Sequence, residues 1–160
     1  MKATYRSVAG RIRQEVPALR QVAERAMASL SAAKTTDDDR FVDAAALNLH
    51  AFYSGLERLM EHVARRIDGT LPDGRTWHVD LLAQMASPMA DLRPPVFDDG
   101  LRHRLDRYRG FRHVVRNVYT YLLDIEQIQV LIDGLPELLD ALERDLLTFA
   151  EFLETTARDA

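Results

Sequence analysis

Apolar residues in this chain recur every three or four positions, segment after segment, and nowhere alternate at period two. That pattern confines each segment to an α-helix with one buried stripe. The first stripe, within residues 5 to 33, runs Val8, Ile12, Val16, Leu19, Val22 or Ala23, Ala26 and Leu30. The second, within residues 38 to 67, runs Phe41, Ala45, Leu49, Phe52, Leu56, Leu59 or Met60, and Val63. Residues 77 to 85 predict a shorter third helix after a turn carrying Gly69, Pro72, Asp73 and Gly74. A further helix spans residues 101 to 123, with Asp98 or Asp99 available to cap its start. Proline sets the expected breaks. Pro17 predicts a kink or split near Glu15, and Gly134-Leu135-Pro136 predicts the end of a short helix over residues 124 to 132. A last helix then covers residues 138 to 155, through Leu139, Leu142, Leu146 and Leu153. The expected fold is all-α, an up-and-down bundle of four or five helices in one domain of 160 residues.

Charge singles out the helix at 101 to 123. Residues 101 to 120 hold six arginines, two histidines and one acid, Asp106, a local charge of +5 on a chain whose net charge is −4. Everything else therefore sums to −9. Tyr108, Phe111, Val115, Val118 and Leu122 form the apolar stripe; Arg109, Arg112, His113, Arg116 and Asn117 lie on the other side. Arg112 and Tyr119 fall on the border between the two. Arg112 and Arg116 are an i, i+4 pair of like charges, which repel by roughly a few tenths of a kcal/mol. Stability alone does not choose such a pair, and an anionic ligand is the obvious reason for it. The plain alternative is a solvated face in a chain where 19 of 21 basic residues are arginine.

Several chemistries are excluded by what the sequence lacks. It contains no cysteine, so thiol nucleophiles, disulfides and zinc ribbons are out. No apolar run reaches membrane-spanning length and no apolar signal core stands at the start, so the expected compartment is the cytoplasm, with no membrane partner. The residues three before His50, His62, His78, His103 and His113 are Leu47, Leu59, Arg75, Gly100 and Gly110, so the Glu-x-x-His pairs of di-iron bundles are absent. Phosphate-loop, zincin and nucleophile-elbow motifs are absent as well. Asp37, Asp38 and Asp39 read as a helix N-terminus and not as a metal site. No metal and no cofactor is expected. His50 reads as a core or rim histidine, His62 as a solvated one, Trp77 as a packing residue and His78 as a capping or surface histidine.

His113 is the histidine flanked on its own face by arginines, namely Arg109, Arg112 and Arg116. Neighbouring positive charge favours a neutral imidazole. A neutral imidazole among guanidinium groups suits metal-free phosphodiester cleavage: the base takes a ribose 2′-hydroxyl proton and the arginines stabilise charge on the phosphorane. Such chemistry requires RNA, because DNA has no 2′-hydroxyl.

Phe111-Arg112-His113-Val114-Val115-Arg116-Asn117-Val118-Tyr119 resembles the motif helix of HEPN domains, and within them of the HepT-like toxins. Those proteins carry Arg-x(4–6)-His, extended in HepT to Arg-x4-His-x-Tyr. Arg112 takes the Arg position, His113 the polar position after it, and Tyr119 the Tyr position; Asn117 stands where the pattern has His. Arg107 and His113 also satisfy the looser spacing. Leu56-Glu57-Arg58 and Trp77-His78-x-x-Leu81-Leu82 extend the likeness over roughly residues 40 to 130. The resemblance implies a homodimer whose two motif helices line a shared cleft. It implies a metal-independent ribonuclease toxin, possessing Arg112, His113 and Asn117 as its catalytic group and Arg107, Arg109 and Arg116 as RNA contacts. It further implies a minimal nucleotidyltransferase antitoxin that attaches AMP to Tyr119. A second reading, fed by Asn117, is a HEPN-fold RNA-binding or nucleotidyltransferase-accessory subunit without catalysis.

Overall fold

The computed structural model describes residues 1–117, save the side chain of Asn117, and residues 123–159. Five α-helices make up most of it: α1 (Lys2–Thr36), α2 (Arg40–Val63), α3 (Trp77–Met85), α4 (Asp99–Asn117) and α5 (Ile125–Asp159). A single π-helical turn, Ala64–Asp68, extends α2. Among the described residues there is no strand, only one isolated antiparallel bridge between Met89 and Arg93. The all-α bundle read from the periodicity is the observed architecture.

The long α1 lies between α2 and α5. A short link joins α1 to α2. Asp37 ends α1 in the left-handed region at φ 52°, a conformation aspartate tolerates. Asp38 then accepts the Arg40 backbone N–H at 3.0 Å, so this acidic cluster is helix punctuation as expected. Two ion-pair clamps hold α1 against α5. Arg13 grips Glu154 through two bonds of 2.7 and 2.8 Å, and Arg20 grips Glu143 and Asp140. The partner number falls as the α1 number rises, so the two helices run antiparallel. Gly55 permits the close contact between α1 and α2; a Cβ there would sit 3.0 Å from Leu19 Cδ2.

The split expected at Pro17 and the helix end expected before Pro136 are both overturned. The first helix runs unbroken through Pro17, and the two C-terminal segments are one helix of 35 residues containing Pro136. Each proline is on the exposed side of its helix. The carbonyls it orphans, those of Arg13 and Ile132, lie four residues back. An interior proline costs about 3 kcal/mol. The buried side chains on either side outweigh it. Val16 and Leu19 flank Pro17, and Ile132, Leu135, Leu138 and Leu139 flank Pro136. Burial is worth about 1.5–3 kcal/mol for each such side chain. The second helix also differs slightly from expectation: Phe41 is exposed, and burial begins at Ala45.

The segment from α3 to α4 is irregular but fixed. Val96 donates its N–H to the Met85 carbonyl at 2.8 Å, and the Tyr5 hydroxyl donates to the Leu92 carbonyl at 3.1 Å. At its centre Arg93 and Asp68 form an ion pair with neither side chain exposed. This segment sets where α4 begins. There Asp98 accepts the Leu101 N–H at 2.7 Å, the N-cap bond expected of an aspartate in that place. Leu101, Leu105, Tyr108 and Phe111 then bury one side of α4, chiefly against α2 and, less extensively, α5 and α3. The Tyr108 ring meets Phe52 edge-on and its hydroxyl donates to the Leu131 carbonyl at 2.6 Å. Burial pushes the Tyr108 hydroxyl up to about 12.

Candidate active site

Burying the apolar stripe of α4 necessarily turns its opposite side outward, at 100° per residue. Arg109, Arg112, His113 and Arg116 come out together on that side. With His78 of α3 they line one open groove of about 280 Å³. The arginine-rich face is therefore a concave site shared by α3 and α4.

Arg112 occupies the border position that its place on the helix predicted. Its Nε donates to Ser54 Oγ at 2.9 Å, and its Nη2 lies 3.5 Å from Glu57 Oε1. Only 16% of its side chain is exposed, so the aliphatic stem packs while the guanidinium reaches the groove. Arg109 is tied to Asp106 at 2.6 Å, one turn back on α4. His113 and Arg116 are exposed on the same side.

Glu57 is the least expected member. It is 3% exposed, in the middle of a helix whose Tyr53, Leu56 and Met60 are core. A buried carboxylate is costly unless it is paired. Its two oxygens divide the pairing: Oε1 faces Arg112 of α4 and Oε2 lies 2.6 Å from His78 Nδ1 of α3. A carboxylate only accepts, so Nδ1 carries the shared hydrogen. The His78 ring is held from its flat side as well, stacked on Trp77 with centroids 3.6 Å apart. His78 is thus no capping histidine; it is partly exposed, and its ring is fixed by Glu57 and Trp77. Thr76 closes the start of α3 instead, donating its hydroxyl to Asp80 at 2.8 Å.

Two more polar groups of α2 sit under the arginines. His50 is half-buried, and its Nε2 is enclosed without a hydrogen-bond partner among the described residues. Desolvation, then the charges of Arg112 and Arg116, hold its imidazole below the usual histidine range. The buried Tyr53 hydroxyl likewise has no partner among the described residues, and burial pushes it above the ordinary phenol range, with Glu57 adding to the effect. His62, expected to be solvated, is half-buried at a separate place; desolvation depresses it.

Not every candidate residue is brought here. Arg107 is missing from the groove. It lines a separate hollow with Arg104 and the α5 residues Val130, Leu131, Gly134, Glu137 and Leu138. The reason is angular: Arg107 is about 140° round the helix from Arg112. Arg107 and His113, which satisfy the looser motif spacing in sequence, are therefore on different sides. The helical backbone includes Asn117, but its side chain and the whole of Tyr119 lie outside the described residues, as do Val118 and Leu122.

The sequence reading missed His50 and Ser54 as site residues and misplaced His78. A signal existed. His50, Ser54 and Glu57 recur at steps of four and three, a polar stripe beside the apolar one on α2. Among the described residues no group of three or more acidic or histidine side chains is placed to hold a metal ion. No helix among them is long and apolar enough to cross a membrane.

A family model described as HepT-like protein matches residues 44–153, which include most of α2, all of α3 and α4, and most of α5. No curated protein and no solved structure matches the chain. The matched span contains the whole groove, from Ser54 and Glu57 to Arg116, and with its five helices the chain belongs to the HepT-like family of HEPN-domain proteins.

Proposed function

We propose that the chain is a HepT-like toxin, a metal-independent endoribonuclease that cuts RNA in the groove beside α4. The observation that carries the reading is Arg112, whose guanidinium is held at the groove by Ser54 and Glu57. A cation fixed in advance stabilises charge on a phosphorane without reorganising during the reaction. Arg109 and Arg116 line the same groove and supply contacts to the RNA backbone. His113 is the general base: its imidazole takes the 2′-hydroxyl proton, and the 2′-oxygen attacks the adjacent phosphorus. Asn117, one turn on, orients the phosphate or His113.

The partners follow from the same reading. One helix side has too few groups to enclose an RNA strand, and two such sides facing each other make a basic cleft. The working form is then a homodimer with the 101–123 segments near each other, and the repulsion between them is offset by acids in the interface or by the bound RNA. A minimal nucleotidyltransferase antitoxin neutralises the toxin by adding AMP to Tyr119. Light scattering at micromolar concentration tests the dimer; a strictly monomeric species counts against it.

The test of the activity is tRNA incubated with purified protein in excess EDTA. The expected product ends in a 2′,3′-cyclic phosphate and disappears with Arg112→Ala. Asn117, in the place of the motif His, favours one other reading: an RNA-binding or nucleotidyltransferase-accessory subunit. Tight RNA binding with no cleavage by the wild-type protein decides for that reading.

A further inference from the structure

Cleavage of RNA to a cyclic phosphate needs two proton transfers. The 2′-hydroxyl loses a proton as its oxygen bonds to phosphorus. The P–O5′ bond then breaks, and the departing 5′-oxygen must gain one. His113 accounts for the first transfer and nothing yet accounts for the second. Arginine cannot supply that proton, because a guanidinium does not give it up near neutral pH. Asparagine has none to give. The residues lining the groove are His78, Arg109, Arg112, His113 and Arg116. One imidazole among them is left over.

We propose that His78, held by the buried Glu57, is the general acid that protonates the 5′-oxygen leaving group, Glu57 being its positioning residue. This rests on the ribonuclease reading given above.

Three features of the structure support it. First, the ring is fixed. Nδ1 lies 2.6 Å from Glu57 Oε2, and one side of the ring is stacked on Trp77. A carboxylate on one ring nitrogen sets the tautomer and leaves the other nitrogen, Nε2, to exchange protons with a substrate. Second, the ring is reachable. It lines the groove, and 27% of its side chain is exposed while Glu57 behind it is closed off at 4%. His50, the other histidine near the arginines, is no competitor, because its Nε2 is enclosed and it does not line the groove. Third, the same carboxylate faces Arg112 with its other oxygen. Glu57 therefore sets the spacing between the proton donor on α3 and the phosphate-stabilising cation on α4. Those two groups must act on one phosphate, so a common anchor between them has a chemical purpose. The protons balance without a co-reactant: one passes to His113, one leaves His78, and exchange with water resets both rings.

The experiment uses the full chain and an RNA oligonucleotide containing a bond that the wild type cuts. A second oligonucleotide carries sulfur in place of the bridging 5′-oxygen of that bond. A thiolate departs without being protonated, so it needs no general acid. His78→Gln is expected to cut the ordinary RNA about 10²–10⁴-fold more slowly than wild type, the usual worth of a proton-transfer group. It is expected to cut the sulfur-bridged RNA within about three-fold of wild type. Glu57→Gln is expected to show the same selectivity with a smaller defect. A purely structural disturbance at either position would slow both substrates alike, and that result overturns the inference. So does a His78→Gln protein that cuts ordinary RNA as fast as wild type. In both of those cases wild-type cleavage stands and the ribonuclease reading survives. A wild-type protein that cuts neither substrate overturns both.

Discussion

Replacing Arg93 by methionine tests how much one buried ion pair contributes to placing α4. Arg93 uses all five of its N–H donors. Nε and Nη2 bond to the two oxygens of Asp68 at 2.6 and 2.7 Å. Nη1 reaches the carbonyls of Ser87 and Pro94, each at 3.0 Å, and Nη2 also reaches that of Gln84 at 3.2 Å. Asp68 in turn accepts the Gln84 side-chain amide at 2.7 Å. Methionine matches the length of the stem but strands the carboxylate and the Ser87 and Pro94 carbonyls, while that of Gln84 keeps the Ser87 backbone N–H at 3.2 Å. Breaking a buried pair on one side costs about 3–5 kcal/mol, set against a typical domain stability of about 5–15 kcal/mol. With a urea slope of about 2 kcal/mol per molar, within the usual range, the unfolding midpoint should fall by roughly 2 M. Helical circular dichroism against urea measures this directly. A double variant, Arg93→Met with Asp68→Leu, removes the stranded charge and should recover part of the loss. It should remain about 1–3 kcal/mol below wild type, because the Ser87 and Pro94 carbonyls still lack the donors that Arg93 supplied. Arg144→Met, at a side chain 69% exposed and 3.5 Å from Asp145, is the control and should stay within about 0.5 kcal/mol. A single variant that loses less than about 1 kcal/mol, or a double variant no better than the single, refutes the reasoning.

In cleavage assays Arg112→Ala should abolish activity, His113→Ala should slow it about 10²–10⁴-fold, and Asn117→Ala should cost less; a His113→Ala protein as fast as wild type removes His113 as the base. Tyr119→Phe should cleave nearly as wild type yet escape AMP addition by the antitoxin, which mass spectrometry reads out. Stability should fall with acid below about pH 6.5, the unfolded histidine value. His50 and His62 are depressed in the folded protein, so between their folded and unfolded values the unfolded chain binds more protons and stability rises with pH. Urea midpoints that do not change from pH 7.5 to 5, or a slope that survives His50→Gln with His62→Gln, contradict this account. RNA affinity should drop steeply with salt, with a single-strand logarithmic slope of about −0.7 per phosphate contact; filter binding across a salt series shows the slope, and a flat line removes the basic groove as the binding surface.

What the sequence by itself determined is what depends on near neighbours. Helix identity follows from spacings of three and four residues. The cap at Asp98, the punctuation at Asp37 to Asp39 and the bounds of α3 follow from residues within one turn of each other. The arginine side of α4 was also legible, because burying Tyr108 and Phe111 leaves Arg109, Arg112 and Arg116 only one direction to face. Tertiary structure decided what depends on energy or contact across the fold. Pro17 and Pro136 carry a local penalty, and the buried side chains around them on long packed helices override it. Arg107 lines a different hollow, against α5, because α4 packs there on its other side, about 140° round from Arg112. The link from His78 to Glu57 spans 21 residues and that from Arg112 to Ser54 spans 58. No periodicity records contacts at such separations. They exist because α2, α3 and α4 meet around one buried carboxylate, and a buried carboxylate must find partners wherever the fold brings them.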